Sequence, residues 1–149
     1  MRAEHVFEIC LERYRGLRAF LRGQMRAVKL DVPAASGYQW RPERARAAEY
    51  VADFELAGER ALDRPSWKGR RRLFVIYFLR GVEYRRAIAL VGVPSGTFDS
   101  WTQQIKRTVG RELERLGLFP PGRYFRERSS PRQATVLGPR EGRGQRYKS

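Results

Sequence analysis

The sequence predicts an all-α protein: a helical domain with a C-terminal helix-turn-helix, followed by a disordered basic tail. Three observations predict it. Apolar residues recur at spacings of three and four in several stretches, the period of helices that bury one face. A short Gly-Val-Pro break at 92–94 separates two such stretches. From Pro120 onward the composition turns to proline, glycine and arginine with little apolar content. A length of 149 residues suits one domain plus a tail and is enough for a core without staples.

The first helix is expected over residues 4–30. Val6, Phe7, Cys10, Leu11, Tyr14, Leu17, Leu21, Met25 and Val28 form its apolar stripe. Cys10 lies on that stripe and reads as a buried thiol. Arg13, Arg15, Arg18, Arg22 and Arg26 lie beside it as a basic surface. Residues 31–40 carry Pro33, Ser36 and Gly37 and read as a loop. Pro42 suits the first turn of a second helix. Ala45, Ala48, Val51, Phe54, Ala57 and Leu62 give that helix an apolar side, and Glu43, Glu49, Asp53, Glu55 and Glu59 read as a solvated acidic face.

A break follows at 63–66, with Ser66 as the expected N-cap of a central helix reaching Arg80. Leu73, Phe74, Ile76, Tyr77, Phe78 and Leu79 are dense enough to be buried on most sides. Lys68, Arg70, Arg71 and Arg72 crowd its first turns, where cations oppose the helix dipole. A docked phosphate would relieve that conflict, so Lys68, Arg70 and Arg71 are candidate DNA-backbone contacts; ordinary surface charge is the competing reading.

Gly81 ends the central helix, and Tyr84 to Val91 form the next, with Ala87, Ile88 and Val91 inward. Gly92 supplies the turn in a left-handed conformation, and Pro94 stops the helix from continuing. The last long helix runs from Ser95 to Leu116, capped by Ser95 or Thr97, and buries Phe98, Trp101, Ile105, Val109, Leu113 and Leu116. Its other side shows Ser95, Thr97, Asp99, Ser100, Gln103, Gln104, Lys106 and Arg107. Side chains near the start of such a helix reach base edges in the major groove, and later basic ones reach phosphate. Glutamine can pair with adenine, and aspartate can accept from cytosine.

Charge points the same way. Thirty-one Lys and Arg stand against 16 Asp and Glu, a formal net charge of +15. Such a surplus attracts polyanions, and with no apolar run near membrane-spanning length the expected partner is double-stranded DNA, with no membrane. Arg richness alone could follow from base composition of the gene; the excess over acids does not. One Cys and one His exclude a disulfide framework or zinc site, and no cofactor is implied. With no phosphate loop or paired-acid motif, an enzyme is the least expected class. The N-terminus has no apolar signal core, so the cytoplasm is the expected compartment.

The segment GVEYRRAIALVGVPSGTFDSWTQQIKRTVGREL resembles region 4 of bacterial sigma factors and their relatives. The resemblance rests on Gly81, Tyr84, Ile88, Ala89, Gly92, Val93, Ser95, Gly96, Thr97 and Phe98, within residues 65–116. It implies a compact helical domain whose last helix reads promoter DNA and which also touches RNA polymerase. It also implies that Thr97, Asp99, Ser100, Gln103, Gln104 and Arg107 face DNA. The expected organisation is a helical region at 1–63, the sigma-like domain at 64–119 and the basic tail at 120–149, a layout similar to small phage-type transcription regulators. The alternatives are a packaging protein such as a terminase small subunit, whose first helix would serve assembly, and an RNA-binding protein using the Arg-rich tail. Sequence leaves the oligomeric state open.

Overall fold

Glycine and proline set most of the helix ends. A computed structural model describes residues 1–29 and 42–128, and these residues form helices and no strand. They run as α1 (Ala3–Lys29), α2 (Pro42–Ala61), a 3-10 turn (Pro65–Trp67), α3 (Lys68–Leu73) continuing as a π-helical turn (Phe74–Leu79), α4 (Tyr84–Val91), α5 (Ser95–Arg115) and α6 (Pro121–Arg128). Gly81, Gly92 and Gly117 follow α3, α4 and α5 with φ of 70°, 80° and 82°, a backbone that costs side-chain-bearing residues free energy.

The core is one continuous cluster drawn from α1, α2, α3 and its π-helical turn, α4 through Ala87, α5 and the start of α6. At 27 residues α1 is about 40 Å long. Its first half is the buried half: Val6, Phe7, Cys10 and Tyr14 have no exposed surface, whereas Phe20 is 42% exposed. Leu17 and Leu21 are half-buried, so the expected stripe weakens along the helix; the side chains of Met25 and Val28, the 31–40 loop and the chain after 128 lie outside the described residues. On the inner side, α1 packs most extensively on α5 and then on α2.

Aromatic rings link these helices. Phe54 of α2 stacks on Tyr14 at 4.6 Å, and Phe7 meets Phe78 edge-on at 5.0 Å. Phe74 continues the row, 6.3 Å from both Phe54 and Phe78. Offset and edge-on pairs of this kind add about 0.5–1.5 kcal/mol each beyond the area they bury. Gly58 of α2 lies directly under the Phe74 ring, where a methyl group would collide with it.

The π-helical turn explains the arginines of α1. Wide i→i+5 winding, as in Arg80 N–H to Val75 C=O at 2.9 Å, leaves carbonyls open at its end. Arg15 donates to the Phe78 carbonyl at 3.1 Å, and Arg18 donates to that of Leu79 at 2.8 Å. These two arginines of the expected basic surface are therefore committed to the fold. Arg18 also donates to the Tyr14 hydroxyl at 3.0 Å, which itself donates to Glu55 at 2.6 Å.

Several expectations need correcting. The inward side of α2 runs through Ala47, Tyr50, Phe54 and Ala57, while Ala45 and Ala48 are exposed. Alanine fits either side of a helix, and it was the tyrosine that marked the face. The acidic face is not wholly solvated: Asp53 accepts from Tyr124 at 2.8 Å, and Glu55 accepts from Tyr14. Ser66 lies inside the 3-10 turn, and α3 starts without a side-chain cap. Ser95 and Thr97 do not cap α5; Pro94 holds the N-cap position, with ψ of 155°, and has no side-chain acceptor. On α5, Thr102 is buried, while Trp101 and Leu116 are only half-buried.

The largest correction concerns the start of the expected tail. Pro121–Arg128 form α6, and Tyr124 is 3% exposed against Tyr50, ring to ring at 4.9 Å. Phe125 stacks on Tyr50 at 5.5 Å. Two aromatic rings with a pocket to fill outweigh the low apolar content around them. Leu118, between α5 and α6, is also buried, and its carbonyl accepts from the Cys10 thiol at 3.7 Å and from the Tyr50 hydroxyl at 3.5 Å. Burial pushes the Cys10 thiol up to about 11.

Candidate nucleic-acid interface

The pair α4 and α5 is built around a short turn. Glu83 precedes α4, and its carboxylate accepts from the backbone N–H groups of Arg85 and Arg86, both at 3.1 Å. Those two donors hold the Glu83 carboxyl below the usual carboxylate range. Ala87 is the fully buried residue of α4, with Ile88 and Val91 partly buried beside it. The Gly92 N–H donates to Ile88 C=O at 2.8 Å, closing the helix in the left-handed cap. The chain then enters α5, whose buried line is Phe98, Thr102, Ile105, Val109, Gly110 and Leu113.

That line fixes the outer side of α5. Ser95, Asp99, Ser100, Gln103 and Arg107 are exposed, and Thr97, Gln104 and Lys106 are half-exposed at its flanks. Pro94 at the N-cap offers no side-chain acceptor to the first N–H groups of α5, so the positive end of this 21-residue helix has no N-cap side chain next to exposed Ser95 and Gly96.

Four of these residues are held by neighbouring helices. Asp99 accepts from the Tyr84 hydroxyl at 2.8 Å, tying the outer side of α5 to the start of α4. The same bond, from a phenol to a carboxylate, pushes the Tyr84 hydroxyl above its ordinary pKa. Lys106 pairs with Glu8 at 3.0 Å and Arg107 with Glu4 at 3.1 Å, both acids on α1. These α5 cations expected to meet phosphate are thus partly neutralised from within.

The arginines of α3 divide. The Arg70 Nε–H donates to Gln104 Oε1 at 2.6 Å, bringing α3 against the flank of α5. Lys68 and Arg71 lie on the other side of α3, lining a shallow hollow with Gly58, Leu62 and Phe74 of the α2 side; Arg71 is also 3.9 Å from Asp63. Arg72 donates to the Leu90 carbonyl at 3.0 Å and so ties α3 to α4. Lys68 is exposed.

Sequence reasoning missed a ladder of alternating guanidinium and indole groups. Arg64 lies over the Trp67 ring at 4.3 Å, Arg70 over the same indole at 4.5 Å, and Arg70 again over Trp101 at 4.8 Å. Gly69 makes the ladder possible, because a side chain there would press on the Trp101 ring, at 2.7 Å from where its first carbon would stand. The signal was present as Arg64, Trp67, Arg70 and Trp101, two of the chain's three tryptophans each at reach of arginine, but only the packing of α3 on α5 joins them. Arg85 and Arg86, exposed at the start of α4, were also passed over.

Among the described residues no helix is long and apolar enough to cross a membrane, and no cluster of metal-ligating side chains forms. Comparison of the chain with protein-family models, with curated proteins and with solved structures gives no match.

Proposed function

We propose that this protein is a sequence-specific, double-stranded DNA-binding regulator of transcription. Its helix-turn-helix is α4, the turn at Gly92 and α5, with α5 entering the major groove. The observation that carries this reading is the outer side of α5: Asp99, Ser100, Gln103 and Gln104 are hydrogen-bonding groups with at least partial exposure, in a chain of net charge +15. Base edges are read by such groups, while the overall charge supplies salt-dependent affinity for phosphate. Exposed Arg85, Arg86 and Lys68 supply backbone contacts that need no rearrangement. Arg107 and Lys106 add to them when they exchange Glu4 and Glu8 for phosphate. The uncapped start of α5 suits a further phosphate.

The resemblance of residues 65–116 to sigma region 4 supports RNA polymerase as a second partner. It also supports a cytoplasmic, non-enzymatic role. The test is selection of bound fragments from a genomic library, followed by binding measurements across a salt series. Gln103→Ala should relax sequence preference with little change in salt slope. Equal binding of all fragments by the parent and this variant overturns specific recognition. Assembly into a large ring in solution would support a packaging role instead.

A further inference from the structure

Gln104 stands half-exposed on the α3-side flank of α5, and the orientation of its amide is set by Arg70. Arg70 has hydrogen-bond donors and no acceptor, so the atom it meets at 2.6 Å must be the oxygen of the Gln104 amide. The remaining amide function is the NH2, a donor. Arg70 is itself held in place: its guanidinium sits over Trp67 at 4.5 Å and over Trp101 at 4.8 Å, and Arg64 also lies over Trp67 at 4.3 Å. Its terminal nitrogens are donors too. The edge shared by Arg70 and Gln104 therefore offers mainly donors, because one lone pair of its single acceptor atom is taken by Arg70.

Resting on the DNA-binding reading above, we propose that Arg70 sets the base specificity of Gln104, so that the Gln104 NH2 donates to the O6 and N7 acceptor edge of guanine. Bidentate pairing of glutamine with adenine needs the amide oxygen to accept from N6, and Arg70 competes for that oxygen. Guanine asks only for donors. A phosphate would also accept them, and a planar guanidinium suits phosphate as well as guanine; base contact is favoured here because the guanidinium is held over two rings and bonded to a neutral amide on α5, and the salt slope separates the two. Arg70 acts here through Gln104 as a positioning residue, and Gln104 makes the base contact.

The experiment is selection from a random duplex library with the full chain and the variants Q104E and R70M, each followed by binding at several salt concentrations. Q104E turns the amide into an acceptor-only group that still pairs with Arg70. Its enriched sequence should move from guanine to cytosine at one position, with about tenfold or greater loss for the parent sequence. R70M keeps a long stem between the indoles and releases the Gln104 oxygen, so adenine should become accepted at that same position. Circular dichroism checks that R70M folds, and Q104E, on the flank of α5, carries the test if it does not. The inference is overturned by an unchanged preference in Q104E, by adenine as the parent's base at the position Q104E alters, or by a uniform loss of affinity with a shallower salt slope, which would mean phosphate. A parent that enriches no sequence overturns the regulator reading and this inference together; a parent that enriches one while Q104E leaves it unaltered overturns this inference alone.

Discussion

Arg107 near the middle of α5 meets Glu4 in the first turn of α1 at 3.1 Å, a contact between residues 103 positions apart in the chain. Lys106 and Glu8 form a second bridge beside it at 3.0 Å. The start of α1 thus holds the cations of the helix proposed to read DNA. Exposed ion pairs contribute little to stability, so these pairs matter more for what they neutralise than for what they hold.

Removing the acids should therefore strengthen DNA binding. In E4Q/E8Q, Arg107 and Lys106 are free for phosphate, and the slope of log affinity against log salt should steepen by up to about 2. R107A should show the opposite, a uniform loss with a shallower slope. Fluorescence anisotropy with duplex DNA over a salt series checks both. An E4Q/E8Q slope equal to the parent's would mean that the two cations do not reach phosphate.

Close approach of α1 and α5 depends on Gly110. A methyl group there would collide with the Ala3 carbonyl, a backbone atom that cannot swing aside. G110A should destabilise the protein by about 1–3 kcal/mol despite alanine's better helix propensity. Gly96, with open space around its α-carbon, is the control: G96A should be no less stable than the parent. Urea unfolding curves compare the two.

Phe54 joins three helices in the ring row, with no exposed surface and contacts to Phe7, Tyr14 and Phe74. F54A should cost about 3–5 kcal/mol, the range for deleting a buried ring. A loss below about 1 kcal/mol in the same unfolding assay would show that these rings do not pack as one core.

Stability should fall at both ends of the pH scale. Its own backbone N–H and Arg107 hold Glu4 below its ordinary value of 4.5, the backbone N–H groups of Arg85 and Arg86 do so for Glu83, and Arg115 does so for Glu112. A lowered carboxyl stabilises the fold above its unfolded pKa, and that contribution is lost as pH drops below about 4.5. At the alkaline end, burial raises the Cys10 thiol from 9.0 to about 11 and also raises Tyr14 and Tyr50. A raised acid keeps its proton in the folded state, so the fold is favoured below pH 9 and loses that advantage progressively toward pH 11. Thermal midpoints from pH 3 to 11 should trace a plateau between these limits. The same burial predicts that Cys10 reacts with a thiol reagent at pH 8 only after unfolding.

Much of the fold was legible because helical period and punctuation are local properties. The 4–30 stripe anticipated α1 within a residue at each end, and Gly92 followed by Pro94 marked the boundary between α4 and α5. Alanine-rich α2 was less legible: three alanines in the expected face could not compete with Tyr50, which turns the helix toward α6. The stretch after Pro120 misled for a related reason. Average composition describes whether a segment can fold alone, while Tyr124 and Phe125 fold against a surface supplied by α2.

Within the candidate interface, the spacing of apolar residues is enough to give α5 a buried line through Phe98, Ile105, Val109 and Leu113, and therefore to say which residues stand opposite it. Tertiary structure alone decided which of those are engaged. Arg107 and Lys106 meet acids of α1, Asp99 meets Tyr84, and Gln104 meets an arginine fixed between two indoles. A helix repeats every 3.6 residues along one chain, so its period tells inside from outside. Hydrogen bonds and ion pairs act over about 3 Å, and which side chains come that close depends on how α1, α3 and α4 are set against α5.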